Sequence, residues 1–337
     1  MIAALELGLI YAVMALGVYL TFRILNFPDL TVDGSFTTGA AIAAKLIIDG
    51  VPPAIATLAG FVGGALAGLV TGLLHTKGKI NGLLAGILTM IALYSINLRI
   101  MEKSNLPLLR EDTIFTPLQE FDLLKTGWSV AILLLAVFLI KLIIDWFLTT
   151  NIGLAVRGTG DNEQMVRSFG VNTDNSKILT LMLSNGLVGL CGAIVAQYQG
   201  FADISMGIGL ILIGLASVIL GNALVGNRGI FVTTLSVILG AVLYRLVIYA
   251  ALNAGLNAND MKLISAILVI IALMLPRWGF LKKFAIRREI KAEAEVAGVD
   301  EAHLANADVA SARPSVRAAS TSQSSEPTAS DRSEGSN

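Results

Sequence analysis

Residues 154–171 read LAVRGTGDNEQMVRSFGV, the longest polar island between two strongly apolar segments in the first 280 residues. The order of its residues predicts a short capped helix over about 161–169: Asp161 stands at the N-cap, Gln164 three residues on as in a capping box, and Gly170 where a helix ends in a left-handed turn. Met165 and Phe169, four apart, share a face with Val166 beside them, while Arg157 and Arg167 bring positive charge. Such a helix fits two settings. One is a membrane surface, with the apolar face on lipid headgroups; the other is the groove of a partner protein.

What lies on either side sets the fold class. The 337-residue chain is 55% hydrophobic and 14% charged, against roughly 25% charged in soluble domains, and its apolar residues fall into blocks of about 16 to 24. Blocks of that length, continuously apolar rather than alternating, span a bilayer as helices and not as a barrel. Candidate spans lie at 2–22, 34–49, 52–74, 80–100, 128–148, 177–198, 206–222, 230–250 and 261–276. The expected architecture is an all-α polytopic transmembrane bundle of about nine spans, within a range of eight to ten. The first block begins at Ile2 without a basic leader, carries Glu6 and ends in Arg23, so a retained span is expected rather than a signal peptide. With nine spans and a cytoplasmic C-terminus, thirteen Lys and Arg fall on the inner side and six on the outer. That asymmetry predicts N-out and C-in, and puts the 161–169 helix in the cytoplasm. Residues 1–280 then form a transmembrane domain. The basic stretch 277–288 (RWGFLKKFAIRR) marks the inner surface, and 281–337 reads as a basic-to-disordered cytoplasmic tail.

Within the spans, polar and small residues stand out. Gly60, Gly64, Gly68 and Gly72 draw a smooth stripe on the third span, a surface for close helix approach. In 24–41, ILNFPDLTVDGSFTTGAA, Pro28, Asp29, Asp33 and Gly34 interrupt the apolar run. That is either a broken helix beside a permeation path or a cytoplasmic turn capped by Asp33 or Ser35. Tyr94, Ser95 and Asn97 cluster toward the outer end of the fourth span, with Arg99 snorkelling beyond them. Asn185 and Gln197 lie in the sixth span and Arg245 in the eighth. These six (Tyr94, Ser95, Asn97, Asn185, Gln197, Arg245) are candidate solute-path residues. Lys141 and Asp145 are spaced for a local pair, Pro107 and Pro117 argue against one continuous helix in 102–127, and Trp128 suits an interfacial anchor.

Catalytic, metal and cofactor sites are not expected. His75 and His303 make no HExxH, GTGDNEQ lacks the GK[ST] of a phosphate loop, and the lone Cys191 sits in an apolar block with no disulfide partner. The zero net charge implies no nucleic-acid partner. Any ATP must be hydrolysed by another chain.

Three motifs carry a resemblance: 155–200, AVRGTGDNEQMVRSFGVNTDNSKILTLMLSNGLVGLCGAIVAQYQG; 216–229, ASVILGNALVGNRG; and 25–40, LNFPDLTVDGSFTTGA. Together, over about residues 5–280, they resemble the ABC importer permeases that serve branched-chain amino acids and simple sugars, and most closely a subgroup thought to carry amino acids, aromatic ones included. Asn222, Asn227 and Arg228 depart from the family's usual glycines. The resemblance implies a multi-pass subunit of the cell membrane, paired with a second permease copy, served by a cytoplasmic ABC ATPase and an extracytoplasmic solute-binding protein. It also implies that Arg157, Asp161, Gln164, Met165, Arg167, Phe169 and Gly170 form the ATPase-coupling helix. The alternatives are sugars or nucleosides as cargo, or a carrier or channel that needs no ATPase.

Overall fold

In hydrocarbon the backbone must satisfy its own hydrogen bonds, and the apolar blocks all do so as helices. The computed structural model describes residues 1–121, 126–225, 229–254 and 261–274. In chain order the helices are α1 (Ile2–Tyr19, prolonged by a π turn, Leu20–Ile24), α2 (Thr31–Ile48), α3 (Pro53–Thr76), α4 (Gly82–Met101), α5 (Thr116–Glu120), α6 (Gly127–Thr149), α7 (Asn151–Asp161), α8 (Glu163–Ser168), α9 (Thr173–Gln199), α10 (Leu210–Val225), α11 (Ile230–Asn253) and α12 (Met261–Met274). Local sequence sets several of the boundaries. Pro53 occupies the first turn of α3, the Asn81 side chain accepts from Leu83 N–H at the start of α4, and Asn172 accepts from Asp174 and Asn175 N–H at the start of α9. Gly200, at φ +78°, ends α9 in the left-handed region.

Each of the nine expected apolar stretches contains a helix, but among the described residues six are long and apolar enough to cross a membrane: α1 with its π turn, α3, α4, α6, α9 and α11. The other three, α2, α10 and α12, are shorter. A break at 25–30 precedes α2, which starts at Thr31 rather than at the expected 34, and between 203 and the start of α10 at Leu210 the chain runs through turns. A two-stranded antiparallel ribbon, β1 (Asn105–Pro107) with β2 (Phe201–Asp203), joins the segment after α4 to that after α9 and corrects the purely helical expectation. Three-residue strands fall below any periodic signal, though Pro107 does end the helical reading there, and α5 begins around Pro117 as a separate turn. The tail 281–337, Asn227, Arg228 and the basic run 277–288 lie outside the described residues.

At the centre lies α1, apolar all round and buried over most of its length. Its Glu6 is fully buried, accepting a hydrogen bond from the Ser129 hydroxyl at the start of α6 and another, at 2.6 Å, from the Tyr198 hydroxyl near the end of α9. The glycine stripe of α3 faces α9. A Cβ on Gly64 would lie 3.0 Å from Gly189 Cα and press on the Asn185 carbonyl, and one on Gly68 would press on the Leu181 carbonyl. Only hydrogen at these positions lets the two backbones meet, which is how apolar helices associate where lipid offers no hydrophobic drive.

Candidate functional site

Two regions gather the sequence-derived candidates: the corner that joins α6 to α9, and a polar junction inside the bundle. The corner is two helices rather than one. Thr150 caps α7, its side chain accepting from Gly153 N–H. Helix α7 then continues through Arg157 to Asp161, so Asp161 is its last residue and not the N-cap of the next helix. That cap is Asn162, whose Oδ1 accepts from Met165 N–H at 3.0 Å. Both residues are good caps, and the choice between them falls one residue later because α7 packs so closely. Gly160 abuts the Ile24 carbonyl, and Val156 and Thr159 are buried against the body. With the cap at Asn162, Gln164 sits at the second helical position, not in a capping box, and α8 has six residues. It ends before Gly170, which is left-handed at φ +81°.

A network of charges fixes α8. Glu163 accepts from Arg167 Nη2 at 2.8 Å, from Lys177 Nζ at 2.8 Å and from the Thr173 hydroxyl at 3.1 Å. Arg167 also reaches Asp174 at 3.2 Å and Thr173 Oγ1 at 2.7 Å, and Lys77 at the end of α3 lies 3.7 Å from Asp174. The Lys177 hydrogen bond, more than any other partner, holds the Glu163 carboxyl below its ordinary range. Arg167 therefore spends its charge inside the corner, and Glu163, which the sequence reading passed over, is the hub. The i,i+4 spacing of Glu163 and Arg167 was the available signal. Val166, 6% exposed, is the inward knob, packed over Gly158 of α7. Met165 and Phe169 face the other way, 49% and 75% exposed. The result is a rigidly anchored short helix presenting two large apolar side chains outward.

At the junction, the break before α2 is braced from within. Asp29 is buried; its carboxylate accepts from Thr31 N–H at 2.9 Å and from Asn185 Nδ2 at 2.6 Å, and Asn185 Oδ1 accepts from Ser35 at 2.7 Å. Neither Asp33 nor Ser35 caps α2. Asp33 instead takes N–H groups from the start of α10, Gly209 at 2.7 Å and Ile211 at 2.9 Å. A carboxylate at a helix N-terminus meets the positive end of the helix dipole and two otherwise orphaned donors. The break is thus cross-braced from within to α9, and α2 to α10, with Leu25, Phe27 and Asp29 buried and Asn26 and Pro28 exposed.

The six solute-path candidates do not share one chamber. Asn185 belongs to the junction just described. Gln197 is buried, donating to Thr57 Oγ1 at 2.7 Å and accepting from Ile114 N–H at 3.1 Å, so it ties α9 to α3 and the segment before α5. Arg245 lies over the Tyr11 ring, 4.1 Å from its centroid. Asn97 is buried, its Nδ2 3.5 Å from the Gly34 carbonyl and its Oδ1 without a hydrogen-bond partner among the described residues. Tyr94 and Ser95 are exposed on α4, and Ser95 lines a recess of about 350 Å³ with Ile96, Arg99 and Ile100. Among the described residues no group of His, Cys, Asp and Glu is placed to hold a metal ion.

Residues 1–274 match the model of the family described as branched-chain amino acid transport system / permease component. The chain is 46% identical over 270 residues to the tyrosine transport system permease protein of Clostridioides difficile (strain R20291), covering 80% of this chain and 88% of that one. It is 27% identical over 281 residues to the ribose import permease protein RbsC of Escherichia coli (strain K12), 78% of this chain and 81% of that one. It is also 29% identical over 239 residues to the autoinducer 2 import system permease protein LsrC of Yersinia pseudotuberculosis serotype O:1b (strain IP 31758), 69% and 64% of the two chains. No solved structure matches significantly.

Proposed function

This chain belongs to the branched-chain amino acid transport system permease family, as a multi-pass permease subunit of an ABC importer in the cell membrane, and from that premise we propose that it imports amino acids with an aromatic side chain, driven by a separate cytoplasmic ATPase seated on α8. The observation that carries the docking assignment is the exposure of Met165 and Phe169 on a helix whose other sides are tied to the body by ions and by Val166. Large apolar side chains held on a rigid base are what a groove-binding anchor requires. Of the two settings open to this helix, the anchor reading is favoured by the ion network, since a helix that only floats on headgroups gains nothing from being fixed to α9.

The cargo assignment rests on the 46% identity to a protein named for tyrosine transport, against 27% for one named for ribose. The chain lies N-out and C-in, so α8 faces the cytoplasm while the ribbon of β1 and β2 faces an extracytoplasmic solute-binding protein. A second copy of the chain completes the pathway across the α4 face that carries Tyr94 and Ser95. The test is uptake in cells expressing the chain with its ATPase and binding protein: labelled tyrosine should accumulate, and labelled ribose should not. Accumulation of ribose alone would reassign the cargo, and uptake that persists when the ATPase gene is deleted would make the chain a carrier.

A further inference from the structure

The structure assigns Lys141 and Asp145 of α6 a positioning role: together they lock the register of α6 against α11, so that the helix leading into the α7–α8 corner and the α10–α11 hairpin move as one body. This rests on the docking reading above only for the source of the movement.

Lys141 is fully buried and Asp145 nearly so, one turn apart on α6, with their side chains in direct contact. Both reach α11. The Lys141 Nζ stands 3.2 Å from the centroid of the Phe231 ring, and the Thr234 hydroxyl donates to Asp145 Oδ1 at 2.7 Å. Besides each other, the pair thus meets one ring and one hydroxyl of the first two turns of α11. Stability does not account for it, since a buried ion pair is matched or bettered by apolar side chains of the same volume, and more so in hydrocarbon. What it supplies is register. Directly beyond the pair, α6 meets α11 and α1 through apolar side chains around a cavity of about 210 Å³, lined by Leu134, Val137, Phe138, Leu235, Ile238 and Leu239 among others, and the next polar tie of α6, Ser129 to Glu6, is at its far end. Loosely filled apolar surfaces slide past one another with little change in energy. A charge pair that fits one ring and one hydroxyl does not.

The location gives the register a use. Asp145 is one turn from the end of α6, and a single residue, Thr150, separates that helix from α7. On the other side, α11 meets α10 at backbone contact, Gly240 against the Ser217 carbonyl and Gly221 against that of Ser236. The start of α10 in turn is held by Asp33 of α2. A rigid α6–α11 joint makes a continuous packed route from the corner to the polar junction.

The experiment places spin labels at Ile143 on α6 and Leu239 on α11, both exposed, in the complex purified with its ATPase, and reads the inter-label distance without nucleotide and with ATP plus vanadate. The wild type should give one narrow distribution that stays put on adding nucleotide. Lys141→Met with Asp145→Leu should keep the folded yield and the bound ATPase but broaden the distribution at least twofold. Thr234→Val should broaden it less, and Thr234→Ser should restore the wild-type width. A distribution as narrow in the double variant as in the wild type overturns the assignment, as does a nucleotide-driven shift in the wild type. Absence of the ATPase from the wild-type preparation would instead refute the docking reading, and the nucleotide-free distributions would still decide the register claim.

Discussion

Phe169→Ala isolates the docking surface from the fold. Phe169 is 75% exposed in the free chain, so its removal costs the bundle little, while a partner groove would cover what is now open. Full burial of a phenylalanine side chain is worth about 1.5 to 3 kcal/mol. Three quarters of that leaves about 1 to 2 kcal/mol for the anchor, or roughly five- to thirty-fold in affinity for the ATPase. Met165→Ala should lose less, since half of that side chain is already covered by its own chain. The two losses should not sum, because neighbours one turn apart share the same groove. Val166→Ala provides the contrast: its side chain is packed inward, so it should lower folded yield and leave the affinity of the surviving protein unchanged. The assay is a titration of the ATPase onto the chain in nanodiscs, read as a dissociation constant. Wild-type affinity for Phe169→Ala would refute the reasoning, and so would a loss that tracks folded yield.

Glu163→Gln should loosen α8 by removing the charge that holds Arg167 and Lys177, an effect of about 0.2 to 1 kcal/mol per exposed pair that shrinks in high salt; faster hydrogen exchange at 163–169 measures it. Because the folded-state pKa of Glu163 is lowered, its contribution is fully present above the ordinary glutamate pKa and is lost as pH falls through the lowered value, so the protection of these amides relative to their intrinsic exchange rate should fall in acid for the wild type and not for the variant. Gly64→Leu or Gly68→Leu should collapse the yield of folded protein, whereas Leu66→Ile, on the exposed face of α3, should not; equal yields from all three would remove the packing claim. Single cysteines at Ser104 and Ser315 in a Cys191→Ser background should label from outside and inside respectively, and labelling from one side would refute the N-out, C-in orientation.

Much of the bundle was legible because hydrocarbon imposes a simple rule, and nine apolar blocks read directly as nine helices. Which of them are full spans was not, since that depends on where breaks such as 25–30 and 204–209 are absorbed, and those are settled by contacts far apart in the chain, 156 residues between Asp29 and Asn185 and 176 between Asp33 and Gly209. A short capped helix at 161–169 was legible and was misplaced by one residue in its cap, because Asp161 and Asn162 are both capping residues and only the packing of Gly160 against Ile24 selects between them. The inward or outward direction of a polar residue was the least legible feature. Asn185 and Gln197 stand out in the sequence as polar residues of a span, and in the structure they bond to α9 itself, to α2 and α3, to the break before α2 and to the segment before α5. Glu6, in contrast, gave no hint that it would be the buried tie between α1, α6 and α9.

The most direct test of the coupling corner is site-specific crosslinking in native membranes. Cysteines placed singly at Phe169, at Met165 and, on the segment after α5, at Phe121 would be treated with a short bifunctional reagent in cells that also express the ATPase and the solute-binding protein. The expected result is an adduct of the ATPase's mass from positions 169 and 165, and none from 121. An ATPase adduct from 121, or none from either 165 or 169 while the importer still transports, would contradict the assignment of α8 as the seat of the ATPase.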